Sequence, residues 1–307
     1  MLLSRAGMAE SFTSPGIDPP SPTLSARLRE LADYLARPMA DRLTEEQRAL
    51  SLGIARRLVV DAAKALDGEI DTALLWNDWL DSGVPTAGRL AAACFARAEE
   101  HRWREYSAMR MVVPSALSDD DSEAMEAPDT EVAAEGSAED SKADRAYLAL
   151  QIADRRRFDG HGHPRIALAD VDPELLRALL RDIAAWRTQR PEASAAAPDD
   201  LVGHALDRRM ASQGLDRAAA DYHAALDAQA TAEEAATAIA RHDWPALIAL
   251  AATASRRSYS DMVLALLSAE PAALPALLAP LRLDHASLAP LEASLAALPG
   301  RTGEGAR

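Results

Sequence analysis

The chain of 307 residues has one cysteine, Cys94, inside the apolar run from Leu90 to Phe95. A lone thiol excludes a disulfide framework and a cysteine metal cluster, and it fits a reducing compartment. Val and Ile together number 17, while Ala, Leu, Arg and Glu abound. The residues that best fill a pleated sheet are therefore scarce, and helices are expected throughout. Lysine is almost missing, with Lys64 and Lys142 against 31 arginines; we read this skew as the mark of a GC-rich genome and give surplus arginine little functional weight. Long apolar runs are also lacking. The start from Met1 to Met8 is too short for a secretory signal, and the stretch from Met262 to Leu281 is broken by Glu270 and three prolines, so a cytoplasmic protein without a membrane span is expected.

The signatures of common chemistry are absent too. The sequence has no GxxxxGK[ST], no GxGxxG, no Cys-x-x-Cys, no His-Glu-x-x-His and no nucleophile elbow. A formal charge of −15 and a pI near 4.9 argue against nucleic acid and anionic lipid, whose binders carry basic faces that release counterions. Ten acidic residues and no basic one lie between Ser118 and Asp140. Taking those ten charges from −15 leaves −5, so the rest of the chain is only mildly acidic. Self-repulsion and low hydrophobicity predict disorder for this insert, residues 113–141.

What is present reads as a string of amphipathic helices. Residues 1–21 form a tail rich in proline and small polar residues, and residues 299–307 a second tail. Ser21 and Pro22 open a helix carrying Leu24, Leu28, Leu31 and Leu35 on one face. Thr44-Glu-Glu-Gln47 has capping-box spacing and opens a helix reaching about Leu66. Helices are then expected over 71–79, 86–111 and 142–157. Asp172-Pro173-Glu174 supplies a cap, a first-turn proline and a first-turn acid for a helix with an apolar stripe from Leu175 to Trp186. Residues 191–198 read as a linker. Shorter helices follow, with starts near 231, 243, 258, 271 and 284. The resulting division is an N-terminal helical lobe over 22–112, completed by 142–190, and a C-terminal lobe over 199–298, in an all-α arrangement of irregular stacked helical pairs or a bundle.

The densest polar constellation is Asp154-Arg-Arg-Arg-Phe-Asp-Gly-His-Gly-His-Pro-Arg165. Asp159, His161 and His163 are candidate metal ligands, since imidazoles two apart on an extended loop point the same way. The plainer reading is an exposed glycine-rich turn whose histidines cap helix ends, because no further ligand set is recognisable. Arg155, Arg156, Arg157 and Arg165 are candidates for gripping an anion or an acidic partner, with the acidic insert as competitor. Their alternative, and the reading we favour, is a solvated helix end near a negative dipole. Trp76 and Trp79, three apart on one face, suit either a partner surface or a core; Leu74, Leu75 and Leu80 around them favour the core.

Three stretches carry a family resemblance. Leu43-Thr-Glu-Glu-Gln-Arg-Ala-Leu50 with Ile54-Ala-Arg-Arg-Leu58, then Arg97-Ala-Glu-Glu-His101, then Ala153-Asp-Arg-Arg-Arg-Phe-Asp159 with Pro164 to Leu175, look like the uncharacterised HEAT-like helical proteins of alphaproteobacteria, a domain-of-unknown-function family of sphingomonad type. The segments Ala240–Leu250 and Tyr259–Leu267 are similar to the closing helices of that family. The likeness spans about residues 27–297 and implies a bacterial, repeat-like α-solenoid with no family activity, cofactor or site residue to carry over. The expected function is a non-enzymatic scaffold or regulatory adaptor that binds another protein in a groove between helices, with self-association left open and no cofactor. The alternative is a metal- or anion-dependent small-molecule binding protein or enzyme with its site in the 154–165 loop.

Overall fold

A computed structural model describes residues 43–112, 140–190 and 197–299. The helix expected near 22–37, both tails, nearly all of the acidic insert and most of the linker lie outside the described residues. Those described are helical and contain no strand; their only β pairing is an isolated antiparallel bridge between Phe158 and Pro164.

The helices start where local chemistry can satisfy their first amide groups. Helix α1, Glu45–Leu66, begins with the expected capping box: Thr44 Oγ1 accepts from the Gln47 amide at 3.2 Å and Gln47 Oε1 accepts from the Thr44 amide at 3.1 Å. Helix α2, Thr72–Ser82, is capped by Asp71, and α3 runs over Ala87–Val112. Helix α4 covers Asp140–Arg155. Helix α5, Pro173–Thr188, is capped by Asp172 with proline in its first turn, as the sequence predicts.

Helices α6, Pro198–Met210, and α7, Leu215–Ala224, are joined through Gly214. Helix α8, Ala228–Ala240, starts earlier than expected because Asp227 takes the cap, leaving Thr231 buried in the first turn with its hydroxyl on the Asp227 carbonyl. Asp243 and Ser258 cap α9, Trp244–Ala254, and α10, Tyr259–Ser268. The starts expected near 271 and 284 give only short pieces: 3₁₀ turns around α11, Leu274–Leu277, and before α12, Ala289–Ala296. Pro271, Pro275 and Pro280 remove amide donors there and keep a regular helix from growing.

Among the described residues two apolar cores form. The first joins α1, α2, the front half of α3, α5 and α6 around Leu58, Leu90, Phe95, Leu179 and Val202. The second joins Trp103 of α3 with α4 and α7–α12 around Leu150, Leu247, Leu250, Met262 and Leu291. The expected lobes therefore trade helices: α4 packs on α7 within the second core, and α6 packs on α5 within the first. The reason lies in α3, which is long enough to line both cores, so chain order does not decide which core a later helix completes. The candidate partner residues Trp76 and Trp79 are buried in the first core, 3% exposed each, while their neighbours Leu74 and Leu80 face solvent. Among the described residues no helix is long and apolar enough to cross a membrane.

Candidate functional site

Where α3 passes from one core to the other it carries Arg97, Glu99, Glu100 and Arg102, all buried. A charged run of this kind would normally face water, because an unpaired ion in a low-dielectric interior is costly. Here it meets charges brought from distant parts of the chain. Arg157 grips Glu100 with two parallel bonds, Nη1 to Oε1 at 2.8 Å and Nη2 to Oε2 at 2.6 Å. Tyr259, at the start of α10, donates its hydroxyl to Glu100 Oε1 at 3.0 Å, and its ring lies 4.9 Å from the Arg157 guanidinium. Arg104 grips Asp154 in the same bidentate way, both bonds at 2.8 Å.

Arg97 completes the cluster. Its Nε donates to the Arg165 carbonyl at 3.2 Å and its Nη2 to the Arg157 carbonyl at 3.0 Å, with the cation 4.7 Å above the Phe158 ring. Its Nη1 lies 3.7 Å from Glu100 Oε2 and makes no hydrogen bond among the described residues.

This environment fixes the protonation states. Burial pushes Glu100 upward, but Arg157 and Arg97 outweigh it and hold the carboxyl down to about 2. Burial, followed by repulsion from Arg157, lowers Arg97 to about 10. On Arg157 burial is overcome by Glu100, and the guanidinium is held more firmly charged than usual. Burial, then Arg97 and Arg104, depress His101 to about 4. Near neutrality Glu100 and Arg157 are thus held charged and His101 neutral.

A cleft of about 1130 Å³ opens onto this junction. Its inner wall includes Arg97, Arg157 and Tyr259; α3 supplies Arg89 and Ala93 at spacings that put them on the Arg97 face. Opposite lie the start of α5, the α6–α7 turn and the start of α10. Two carboxylates pin that side to the backbone: Asp170 Oδ1 accepts from the Leu215 amide at 2.5 Å, and Asp216 Oδ1 accepts from the Tyr259 amide at 2.7 Å. Burial raises Asp170 above the ordinary carboxylate range, opposed by the Leu215 amide and Arg157. At Gly214 an added Cβ would stand 2.7 Å from the Ala169 carbonyl oxygen, so glycine is what lets the turn close on the 168–170 segment.

The 154–165 constellation is divided by the fold. Arg157 belongs to the buried junction, whereas Arg155 and Arg156 are exposed. Arg165 is occupied locally, with Nε on the Arg156 carbonyl at 2.8 Å and Nη1 3.6 Å from Asp61. Asp159 organises the loop: it accepts from the His161 and His163 amides at 2.9 Å and from Arg57 Nε at 3.1 Å, while the His163 ring lies 3.3 Å away. Desolvation pushes this carboxyl up, but the His163 and His161 amides together with the His163 ring outweigh it and hold it well below its usual range. Both histidines are exposed, and the described residues contain no group of three or more His, Cys, Asp or Glu able to hold a metal ion.

Sequence reasoning missed Arg97, Glu100, Arg104, Tyr259 and the cleft. In the sequence, Arg97 to Glu105 looks like a solvated helical face; only the length of α3, too long for one core, hinted that it would be covered. Comparison with protein-family models, with curated proteins and with solved structures finds no match.

Proposed function

We propose that the protein is a non-enzymatic helical adaptor of the cytoplasm, built of HEAT-like stacked pairs, and that its cleft between the two cores receives a segment of another protein. The observation that carries this reading is the cleft itself, whose walls come from both cores and whose floor holds the bidentate Arg157–Glu100 pair with Tyr259 on it. A site with fixed charges and an apolar lining of Ala93, Ile166, Leu175, Leu215 and Leu264 binds rather than reacts. The competing ligand site in the 154–165 loop has less support, because Asp159 and Arg165 are spent on the loop's own backbone and neighbours.

Site-specific photocrosslinking in the native cell tests this. A crosslinking residue at Met210, 72% exposed on the cleft wall, should yield a discrete protein adduct that one at Leu148, 58% exposed on α4, does not. Equal adducts at both positions, or none at Met210, would defeat the adaptor reading.

A further inference from the structure

One stripe of α3 is covered along only part of its length. Ala91, Phe95, Glu99, Arg102, Tyr106 and Met109 follow one another at spacings of three and four, which places them on one face. Ala91 and Phe95 are buried in the first core. Glu99 accepts from Gln47 Nε2 at 3.1 Å, and Arg102 Nε lies 3.0 Å from Glu46 Oε2, so the first turn of α1 covers the middle of the stripe. Helix α1 reaches no further, because it starts at Glu45 and the first core takes nothing of α3 beyond Ala98. Past Arg102, Tyr106 is half-buried and Met109 is 62% exposed.

The chain arrives at this same place from its N-terminal side. Leu43, the first of the described residues, is buried, and its carbonyl accepts from Arg48 Nη2 at 2.9 Å. Only Pro38 to Arg42 separate it from the segment 22–37, whose Leu24, Leu28, Leu31 and Leu35 are spaced for one helical face. A leucine stripe on so short a helix needs a partner surface to be stable in water. The connection from 37 to 43 spans at most about 20 Å when extended, and Met109 stands about 10 Å along α3 from Arg102. Lengths match as well: the four leucines extend over about 17 Å of helix, and about 15 Å of α3 remain between Arg102 and Val112.

We infer that residues 22–37 of this same chain dock as a strap helix along the outer end of α3, their leucines on Tyr106 and Met109, and so continue the cover that α1 begins. A second copy of the chain offers the same leucines, but a segment tethered so close to Leu43 meets the face at a far higher effective concentration. The strap has a further effect. The Arg102 guanidinium lies 5.8 Å from the Tyr106 ring centroid and pairs with Glu99 at 2.9 Å, so leucines seated on Tyr106 also keep water from that ion pair. The face shares no residue with the lining of the cleft, and the inference is independent of the adaptor reading.

The test uses the full chain carrying Leu31→Cys with Met109→Cys, beside a control carrying Leu31→Cys with Leu148→Cys, a position 58% exposed on α4; the natural Cys94 is buried. Under mild oxidation with glutathione disulfide, the Met109 pair should close within one chain about ten-fold faster than the control pair. A second measurement needs no added thiol. Met109→Asp places a charge beneath the leucines and should speed tryptic cleavage after Arg27 and Arg29 by about ten-fold, whereas Leu148→Asp should leave that rate unchanged; both substitutions fall at exposed positions and spare the cores. Equal closure rates, no closure, or cleavage indifferent to Met109→Asp would overturn the inference. A disulfide joining two chains would overturn it too, by assigning the face to a second copy.

Discussion

Trp103 Nε1 donates to Ser294 Oγ at 2.6 Å, tying the middle of α3 to α12 across 191 positions of sequence. Ser107 Oγ lies 2.6 Å from the same hydroxyl and donates to the Trp103 carbonyl at 2.8 Å, and the Trp103 ring stacks on Trp244 with centroids 4.8 Å apart. These polar groups satisfy one another inside the second core. Ser294→Ala leaves the buried indole N–H without its acceptor, while Ser107 keeps the Trp103 carbonyl, and a loss of about 1–3 kcal/mol follows. Urea denaturation is the measurement; a variant within error of the parent would mean that this bond contributes nothing net.

The Arg157–Glu100 pair gives a sharper contrast between breaking an ion pair and replacing it. Glu100→Ala strands Arg157 and Arg97 and should cost about 3–5 kcal/mol. Glu100→Leu combined with Arg157→Met removes both charges and should recover a large part of that loss. A double variant less stable than Glu100→Ala alone would show that the pair is held together by more than mutual neutralisation.

Acid sensitivity follows from His101. Its native value, about 4, lies below the ordinary 6.5 because of burial and then the Arg97 and Arg104 charges. The folded chain keeps this histidine neutral while the unfolded chain takes up the proton, so stability is full above 6.5 and falls as pH drops toward 4. Glu100, held near 2 against an ordinary 4.5, adds a separate loss as pH falls from 4.5 toward 2. His101→Gln should flatten the first slope and leave the second. Denaturation midpoints measured at several pH values check this; an unchanged slope between 6.5 and 4 rejects His101 as its source.

Two glycines should respond oppositely to alanine. Gly203, within α6, has open space around it, and Gly203→Ala should stabilise by about 0.5–1 kcal/mol through helix propensity. Gly214→Ala would press a methyl group against the Ala169 carbonyl and should cost about 1–3 kcal/mol while loosening the Leu215–Asp170 bond. Thermal unfolding compares them directly, and equal shifts would contradict the close approach at Gly214.

The features legible in the sequence were those encoded within a few residues. Thr44 with Gln47, and Asp172 with Pro173, define helix starts without help from the rest of the chain, and the scarcity of Val and Ile excluded a sheet among the residues described here. The burial of Trp76 and Trp79 was favoured on the strength of three neighbouring leucines, of which only Leu75 is itself buried. The junction was not legible, because Glu100 meets Arg157 and Tyr259 from 57 and 159 positions away, and no local pattern distinguishes a charge that will be matched at such range from one that will stay in water. The cleft was hidden for the same reason: Arg89, Ala93 and Arg97 are spaced for one face of α3, but what stands opposite is set by the α6–α7 turn.

Because α3 serves as a common spine, heat should dismantle the two apolar bodies in one cooperative event. A fragment ending at residue 190 would lack Val202 and Ala205 from one of them, and a fragment beginning at 197 would lack Trp103, Leu150 and Ala153 from the other. Neither piece could cover its own leucines, so the natural cutting point suggested by chain order is where the molecule tolerates division least.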